Sequence, residues 1–254
     1  MFRGKITFQA EFNFFLFESI EFAYPDSKVL LATVKSSQFE GVILTVEIIN
    51  ASSKNEIFIK AREVADYTTK VLTWKFEWVF KKFRQVDEKI VEEQLQPDGS
   101  IREIFHNPEP VLKIGGGASK QWLDFGSSQE SEIKSLLEQD NLNRFIYCDL
   151  FCFAIELTDP ISKFMILYYI ILDLCNDNQD DVDQFIISFE PNVPTNPPYR
   201  TRRSGVSETI YTRLRNQIGH ARRGTTMEHT RSEMATNLKG LIAIAKELII
   251  RNSF

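Results

Sequence analysis

Six residues near the C-terminal end, Arg215-Asn216-Gln217-Ile218-Gly219-His220, bring together a guanidinium, a carboxamide and one of only three histidines in the chain. The guanidinium is always charged, and its planar fork suits the non-bridging oxygens of a phosphate. Histidine is the side chain whose charge changes near neutral pH, which proton transfer requires. A permanent cation beside a group that can move protons suits acid–base work on a bound phosphate. On a helix, Asn216 and His220 stand four residues apart and share a face. At about 100° per residue, Arg215 lies about 140° round from His220. One copy of such a helix therefore offers a ridge and not a closed pocket. Either the long stem of Arg215 reaches round, or a second copy of the helix completes the site. Gly219 costs about 1 kcal/mol against alanine inside a helix, and its missing side chain permits close approach of a ligand or a partner helix.

The charge around this segment is uneven. The whole chain carries a net charge of −5, yet seven arginines and a single acid, Glu208, lie between Arg200 and Arg223. A local basic strip on an acidic protein implies a confined anion site. Arg202, Arg203, Arg213, Arg222 and Arg223 are the candidates to hold flanking phosphates. The plainer reading of Arg213, Arg222 and Arg223 is a solvated helix end, with cations favoured by the helix dipole.

Other chemistries are excluded by spacing. Gly115-Gly116-Gly117-Ala118-Ser119-Lys120 lacks the arrangement of a phosphate-binding loop and reads as a flexible linker. The acidic run from Asp177 to Asp183 lacks the central glycine and terminal glutamate of a calcium loop, and reads as a solvated helix end. Cys148 and Cys152 share a helix face, but no histidine lies nearby in sequence to complete a zinc site. With Cys175 they make an odd count in apolar surroundings, which reads as buried free thiols in a reducing compartment. The longest apolar run, Phe164 to Leu172, is far short of the roughly 20 residues a membrane span needs. No leader sequence is evident, so a cytoplasmic location is expected, and no cofactor or metal is called for.

The elements that must position the motif follow from periodicity. Lys5 to Phe12, Val29 to Val34 and Val42 to Ile49 read as strands. Ser52 and Ser53 precede a helix carrying Ile57, Ala61, Val64, Ala65, Thr68, Val71 and Leu72 on one stripe, to about Trp74. The alternating Trp74, Phe76, Trp78 and Phe80 fit either a strand or that helix's end. Pro97-Asp98-Gly99 marks a hairpin turn. After the glycines the chain becomes helical: 143–157, then from Pro160 to near Asp177, then from an N-cap at Ser207 to Gly224, then 233–250. In the third helix Ile210, Leu214 and Ile218 are expected to face the core. The fold class is α+β: a sheet-plus-helix module over residues 1–127, then a bundle of four to five helices over 128–254.

Motif and helix order together resemble the HEPN superfamily, whose R-x4-H signature, commonly in the form RN-x3-H, sits on the third main helix of such a bundle. The first two helices of that bundle match the segments containing Arg144-Phe145-Ile146-Tyr147 and Lys163 to Tyr169. HEPN members often carry an acid late on the second helix, where this chain has Asp173. A mixed α+β half before a helical bundle is similar to methylamine-utilisation MauJ-like bacterial proteins. The resemblance implies a metal-independent endoribonuclease with Arg215, Asn216 and His220 as its catalytic set, and Asp173 in support. It also implies RNA as partner and a homodimer through the helical half. A role in bacterial stress or anti-phage defence follows, with the N-terminal half meeting a trigger, an antitoxin or another partner. Arg222 stands where some HEPN toxins have a modifiable tyrosine, which points to a different mode of control. Two other readings stand beside it: a non-catalytic module binding RNA or a nucleotide through the same residues, and an interaction protein whose helical half dimerises and whose sheet edge recruits a partner. The plainer reading of the motif itself is that Arg215 pairs with Asp173 and His220 is a satisfied interior histidine.

Overall fold

A period of two decides the start of the chain. In β1 (Phe2–Ala10), Ile6, Phe8 and Ala10 are buried while Arg3 and Lys5 are exposed, because successive strand side chains point to opposite faces. The computed structural model describes residues 1–11, 15–37, 41–80, 82–106, 123–124, 127–139, 141–196, 205–219 and 226–253. The chain divides into two units, Met1–Arg144 and Phe145–Phe254.

In the first unit β1 lies within a six-stranded antiparallel sheet. Its order is β3 (Ile20–Phe22), β4 (Val29–Ser37), β5 (Gly41–Ala51), β1, β6 (Arg84–Leu95) and β7 (Ile101–His106). A short parallel pair, β2 (Phe15–Leu16) with β8 (Leu123–Asp124), forms a separate two-stranded ladder. The β6–β7 turn falls where Pro97-Asp98-Gly99 predicts, with Gly99 at φ +84°. Helix α1 (Lys54–Phe76) begins at the N-cap Ser53, whose hydroxyl accepts from the Glu56 N–H at 3.2 Å. The Glu56 carboxylate in turn accepts from the Ser52 N–H at 2.7 Å, so the two ends of the cap hold each other. The expected stripe from Ile57 to Leu72 is the buried face. Trp74 and Phe76 belong to the helix, which Glu77 ends in a left-handed conformation. A side chain at Gly4 would stand 2.9 Å from Ile57 Cγ2, so glycine there lets α1 approach the sheet.

Helix α2 (Ser127–Gln139) is not anticipated by the sequence reading, and it moves the boundary between the units from 127/128 to 144/145. Its Ile133 and Leu137 are fully buried. Tyr67 Oη of α1 donates to the Leu136 carbonyl at 2.8 Å, and Lys75 of α1 pairs with Glu132. The apolar stripe of α2 is spent on α1, so α2 closes the first unit. The glycine run at 115–117 and the linker read there lie outside the described residues.

The second unit holds α3 (Ile146–Glu156), α4 (Pro160–Leu174), α5 (Gln179–Phe189), α6 (Ile210–Gly219) and α7 (Met227–Ser253). A two-residue ladder joins β9 (Thr195–Asn196) to β10 (Glu208–Thr209). The chain is thus α+β, with an N-terminal sheet and C-terminal helices. Helix α4 starts as expected, with Pro160 in its first turn and Asp159 accepting from the Ser162 N–H at 2.8 Å. It packs against α3, α5, α6 and α7, which is why Phe164, Leu167, Tyr168, Ile170, Ile171 and Leu172 are all buried. Helix α5 replaces what reads in sequence as a solvated end and a loop. Asn176 and Asp177 both take left-handed φ values, 56° and 58°, and reverse the chain. Asn178 then caps α5 by accepting from the Asp180 N–H at 3.0 Å. Cys148, Cys152 and Cys175 are buried free thiols. Among the described residues no helix is long and apolar enough to cross a membrane.

Candidate functional site

Helix α6 carries Arg215 and Asn216, and its setting differs from the expected one in two respects. It starts at Ile210 and not after Ser207; Glu208 and Thr209 are drawn into β10, and the Thr209 hydroxyl accepts from the Thr212 N–H at 3.4 Å. The helix is also rotated. Tyr211, Thr212, Leu214 and Gln217 are buried, whereas Ile210 and Ile218, expected in the core with Leu214, are half-buried. Polar partners explain the rotation, since each buried polar group on this face finds a bond. Tyr211 Oη donates to Glu190 at 3.0 Å, and its ring stacks on Phe164 at 6.4 Å. Gly240 of α7 makes room for it, because a Cβ there would overlap the Tyr211 hydroxyl. Burial first, then the Glu190 carboxylate, push the Tyr211 phenol above its ordinary value. Gln217 accepts from the Thr230 hydroxyl of α7 at 3.3 Å.

The start of α6 is anchored by a buried acid. Asp183 of α5, read in sequence as part of a solvated run, is fully buried. Its Oδ1 accepts from the Thr209 N–H at 2.9 Å, the Thr209 hydroxyl at 2.6 Å and the Thr212 hydroxyl at 2.7 Å. With the Thr212 proton directed at Asp183, Tyr168 Oη donates to Thr212 Oγ1 at 2.8 Å. A carboxylate at a helix N-terminus also meets the positive end of the dipole.

Arg215 and Asn216 lie on the half-buried side of this helix. Arg215 Nη1 donates to Asn216 Oδ1 at 3.0 Å, and its Cζ lies 6.0 Å from the centre of the Tyr168 ring. Gln179 Nε2 of α5 donates to the same Asn216 oxygen at 3.2 Å. Asn216 Nδ2 donates to Glu208 Oε1 at 2.8 Å, and Glu208 is 2% exposed. Arg215 is therefore oriented by a neutral carboxamide and faces an aromatic ring, and among the described residues it forms no ion pair.

Of the expected site residues, the structure brings Arg215 and Asn216 together. Asp173 is elsewhere engaged: it accepts from Tyr147 Oη at 2.5 Å and forms no ion pair with Arg215. That bond raises the Tyr147 phenol above its ordinary value. Arg213 forks onto Glu233 of α7, at 2.7 and 3.4 Å, and so ties α6 to α7. His220, Arg202, Arg203, Arg222 and Arg223 lie outside the described residues.

Glu208, Gln179, Asp183 and Tyr168 are the members of the site that the sequence reading misses. Glu208 left one signal, as the single acid among seven arginines directly before the motif helix. Asp183 left less, since an acid beside Val182 and Ile186 reads as polar until its burial is known. Compared with known protein families, with curated proteins and with solved structures, the chain matches none.

Proposed function

We propose that this protein is a metal-independent endoribonuclease of HEPN type, acting as a two-fold dimer in bacterial stress or anti-phage defence. The 2′-OH of a nucleotide attacks its own 3′ phosphorus, the bond to the next 5′ oxygen breaks, and a 2′,3′-cyclic phosphate and a free 5′-OH result. Arg215 bears on the non-bridging oxygens, where charge grows. His220 takes the 2′-OH proton, and the second protomer's copy of the motif returns one to the leaving oxygen. Arg202, Arg203, Arg222 and Arg223 hold flanking phosphates, and Arg213 joins them only by exchanging Glu233 for RNA. The N-terminal unit meets the trigger or a partner such as an antitoxin.

The observation that carries this reading is Arg215 itself: half-buried, stacked toward Tyr168, and oriented by a neutral carboxamide that leaves its charge for an anion. That arrangement disfavours the plainer reading in which Arg215 is spent on Asp173.

Labelled RNA incubated with the purified protein in EDTA provides the test. Cleavage to cyclic-phosphate ends is expected, with a loss above roughly 100-fold in Arg215→Ala and in His220→Ala. Tight RNA binding without turnover would assign the site to a non-catalytic binding module instead.

A further inference from the structure

The geometry points to Asn216 as a positioning residue for Arg215, locked in that role by the buried carboxylate of Glu208. In this assignment the oxygen of Asn216 serves the Arg215 frame and accepts no proton donor from the substrate or from His220. The inference rests on Arg215 being the anion-binding group of the proposed site, and it adds Glu208 and Gln179 to that site's supporting frame.

Donors and acceptors decide the matter. A carboxamide has two lone pairs on oxygen and two N–H groups. Both lone pairs of Asn216 are taken, by Arg215 at 3.0 Å and Gln179 at 3.2 Å, and one N–H is given to Glu208 at 2.8 Å. A guanidinium can only donate and an ionised carboxylate can only accept. Flipping the amide would therefore set N–H against N–H on one side and oxygen against oxygen on the other. The orientation is fixed by chemistry, and no lone pair remains for a 2′-OH or an imidazole N–H.

The frame behind Asn216 is equally constrained. Glu208 sits in β10, whose backbone pairs with β9, and the Ile210 N–H donates to the Pro194 carbonyl at 2.9 Å. The next residue, Thr209, is pinned by Asp183. Glu208 thus reaches across two helical turns to Asn216 from a fixed base. Asn216 uses one of the five N–H groups of the guanidinium, so the Nε–Nη2 edge stays suited to a bidentate phosphate. Holding a long side chain in place beforehand spares its ordering on binding, and loss of that restraint is expected to weaken anion engagement roughly 3- to 10-fold.

A reciprocal exchange tests the clamp in the full-length protein. Asn216→Asp alone sets two carboxylates against each other. Asn216→Asp combined with Glu208→Gln restores the bond with donor and acceptor reversed, and still lets Arg215 and Gln179 donate to position 216. Arginine-selective ¹⁵N NMR, with the Arg215 signal assigned by its loss in Arg215→Lys, reads the clamp without any need for catalysis. Slow rotation of the Arg215 guanidinium is expected in the wild type. It should be lost in Asn216→Ala and kept in the double variant. A freely averaging Arg215 in the wild type, or a signal indifferent to these changes, overturns the inference. Asn216→Ala also covers the case in which the paired carboxylates prevent folding.

RNA cleavage supplies the second arm. Asn216→Ala should lower the rate roughly 3- to 10-fold at every pH, with the midpoint of the pH profile unmoved. A moved midpoint would assign Asn216 to His220 and overturn the inference. Absence of cleavage in the wild type would refute the nuclease reading, while the NMR arm would still decide the clamp.

Discussion

Replacing Asp183 by alanine should destabilise the helical unit. One carboxylate oxygen accepts a backbone N–H and two hydroxyls, at 2.9, 2.6 and 2.7 Å, in full burial. Hydrogen bonds to a charged acceptor contribute about 1.5–3 kcal/mol each, but the three losses do not add. The hydroxyls of Thr209 and Thr212 already lie 3.4 Å apart and can turn toward each other. The Thr209 N–H is fixed in β10 and cannot turn, so it bears the full penalty of a buried unpaired donor, about 1–3 kcal/mol. With partial loss of the hydroxyl bonds, Asp183→Ala should cost about 3–4 kcal/mol. Asp183→Asn, which keeps an accepting oxygen, should cost about 1–2 kcal/mol. Against the roughly 5–15 kcal/mol that holds a domain together, the alanine change is severe. All three tryptophans, Trp74, Trp78 and Trp122, precede residue 145. Tryptophan fluorescence therefore follows the first unit during urea unfolding, while circular dichroism at 222 nm also follows the helices of the second. The dichroism midpoint should fall. A shift below about 1 kcal/mol would refute the argument.

Gly240→Ala forces the Tyr211 hydroxyl out of its place against α7 and away from Glu190; overpacking of this kind should cost about 1–3 kcal/mol in urea unfolding of the helical unit. The Glu56 carboxyl is held down to about 2 by Lys28 and then by Ser52. A depressed folded value contributes stability above the unfolded value and loses it as pH falls, so the contribution should fade between the ordinary carboxyl value of 4.5 and about 2. Acid titration followed by tryptophan fluorescence should show Glu56→Gln less sensitive across that window. If the arginine strip holds phosphates, the double change Arg222→Ala and Arg223→Ala should reduce the slope of log affinity for RNA against log salt by about 1.4 to 1.8. Arg213→Ala should reduce it less and lower unfolding stability more, because Arg213 already serves Glu233; an unchanged slope in the double variant would return those arginines to a solvated helix end.

Local signals reported themselves well in the sequence. The α1 stripe, the Ser53 cap, the Pro97-Asp98-Gly99 turn and the Asp159-Pro160 start of α4 all depend on residues within a few positions of one another, and all stand where expected. What failed depends on distant partners. Helix α2 is short, and its Ile133 and Leu137 acquire meaning only against α1. Helix α5 hides behind Asp180, Asp181 and Asp183, since an acidic run reads as solvated unless a buried hydroxyl pair is known to wait for one member. The same cause turned α6: Ile210, Leu214 and Ile218 make the better apolar stripe, but Tyr211, Thr212 and Gln217 have hydrogen-bond partners on α4, α5 and α7 and at the half-buried Glu190. Within the site, Arg215 and Asn216 were legible as chemistry, whereas Glu208 and Gln179, 8 and 37 residues from Asn216, were not legible as their frame.

The two arginines of α6 show why that frame matters. Arg213 and Arg215 are two positions apart, and each is steadied by an oxygen at 2.7–3.0 Å. The oxygen facing Arg213 belongs to a carboxylate, which cancels its charge, so a phosphate must displace Glu233 and leave that acid unpaired. The oxygen facing Arg215 belongs to a carboxamide, which orients the guanidinium and leaves its charge intact. The anions of this neighbourhood stand one step removed: Glu208 behind Asn216, and Asp183 behind Thr212 and Tyr168. Each supplies negative charge near the start of α6, where the helix dipole favours it, without forming an ion pair with Arg215. A fixed but uncompensated cation is what a transition state with growing phosphate charge requires, and on α6 that description fits Arg215 and not Arg213.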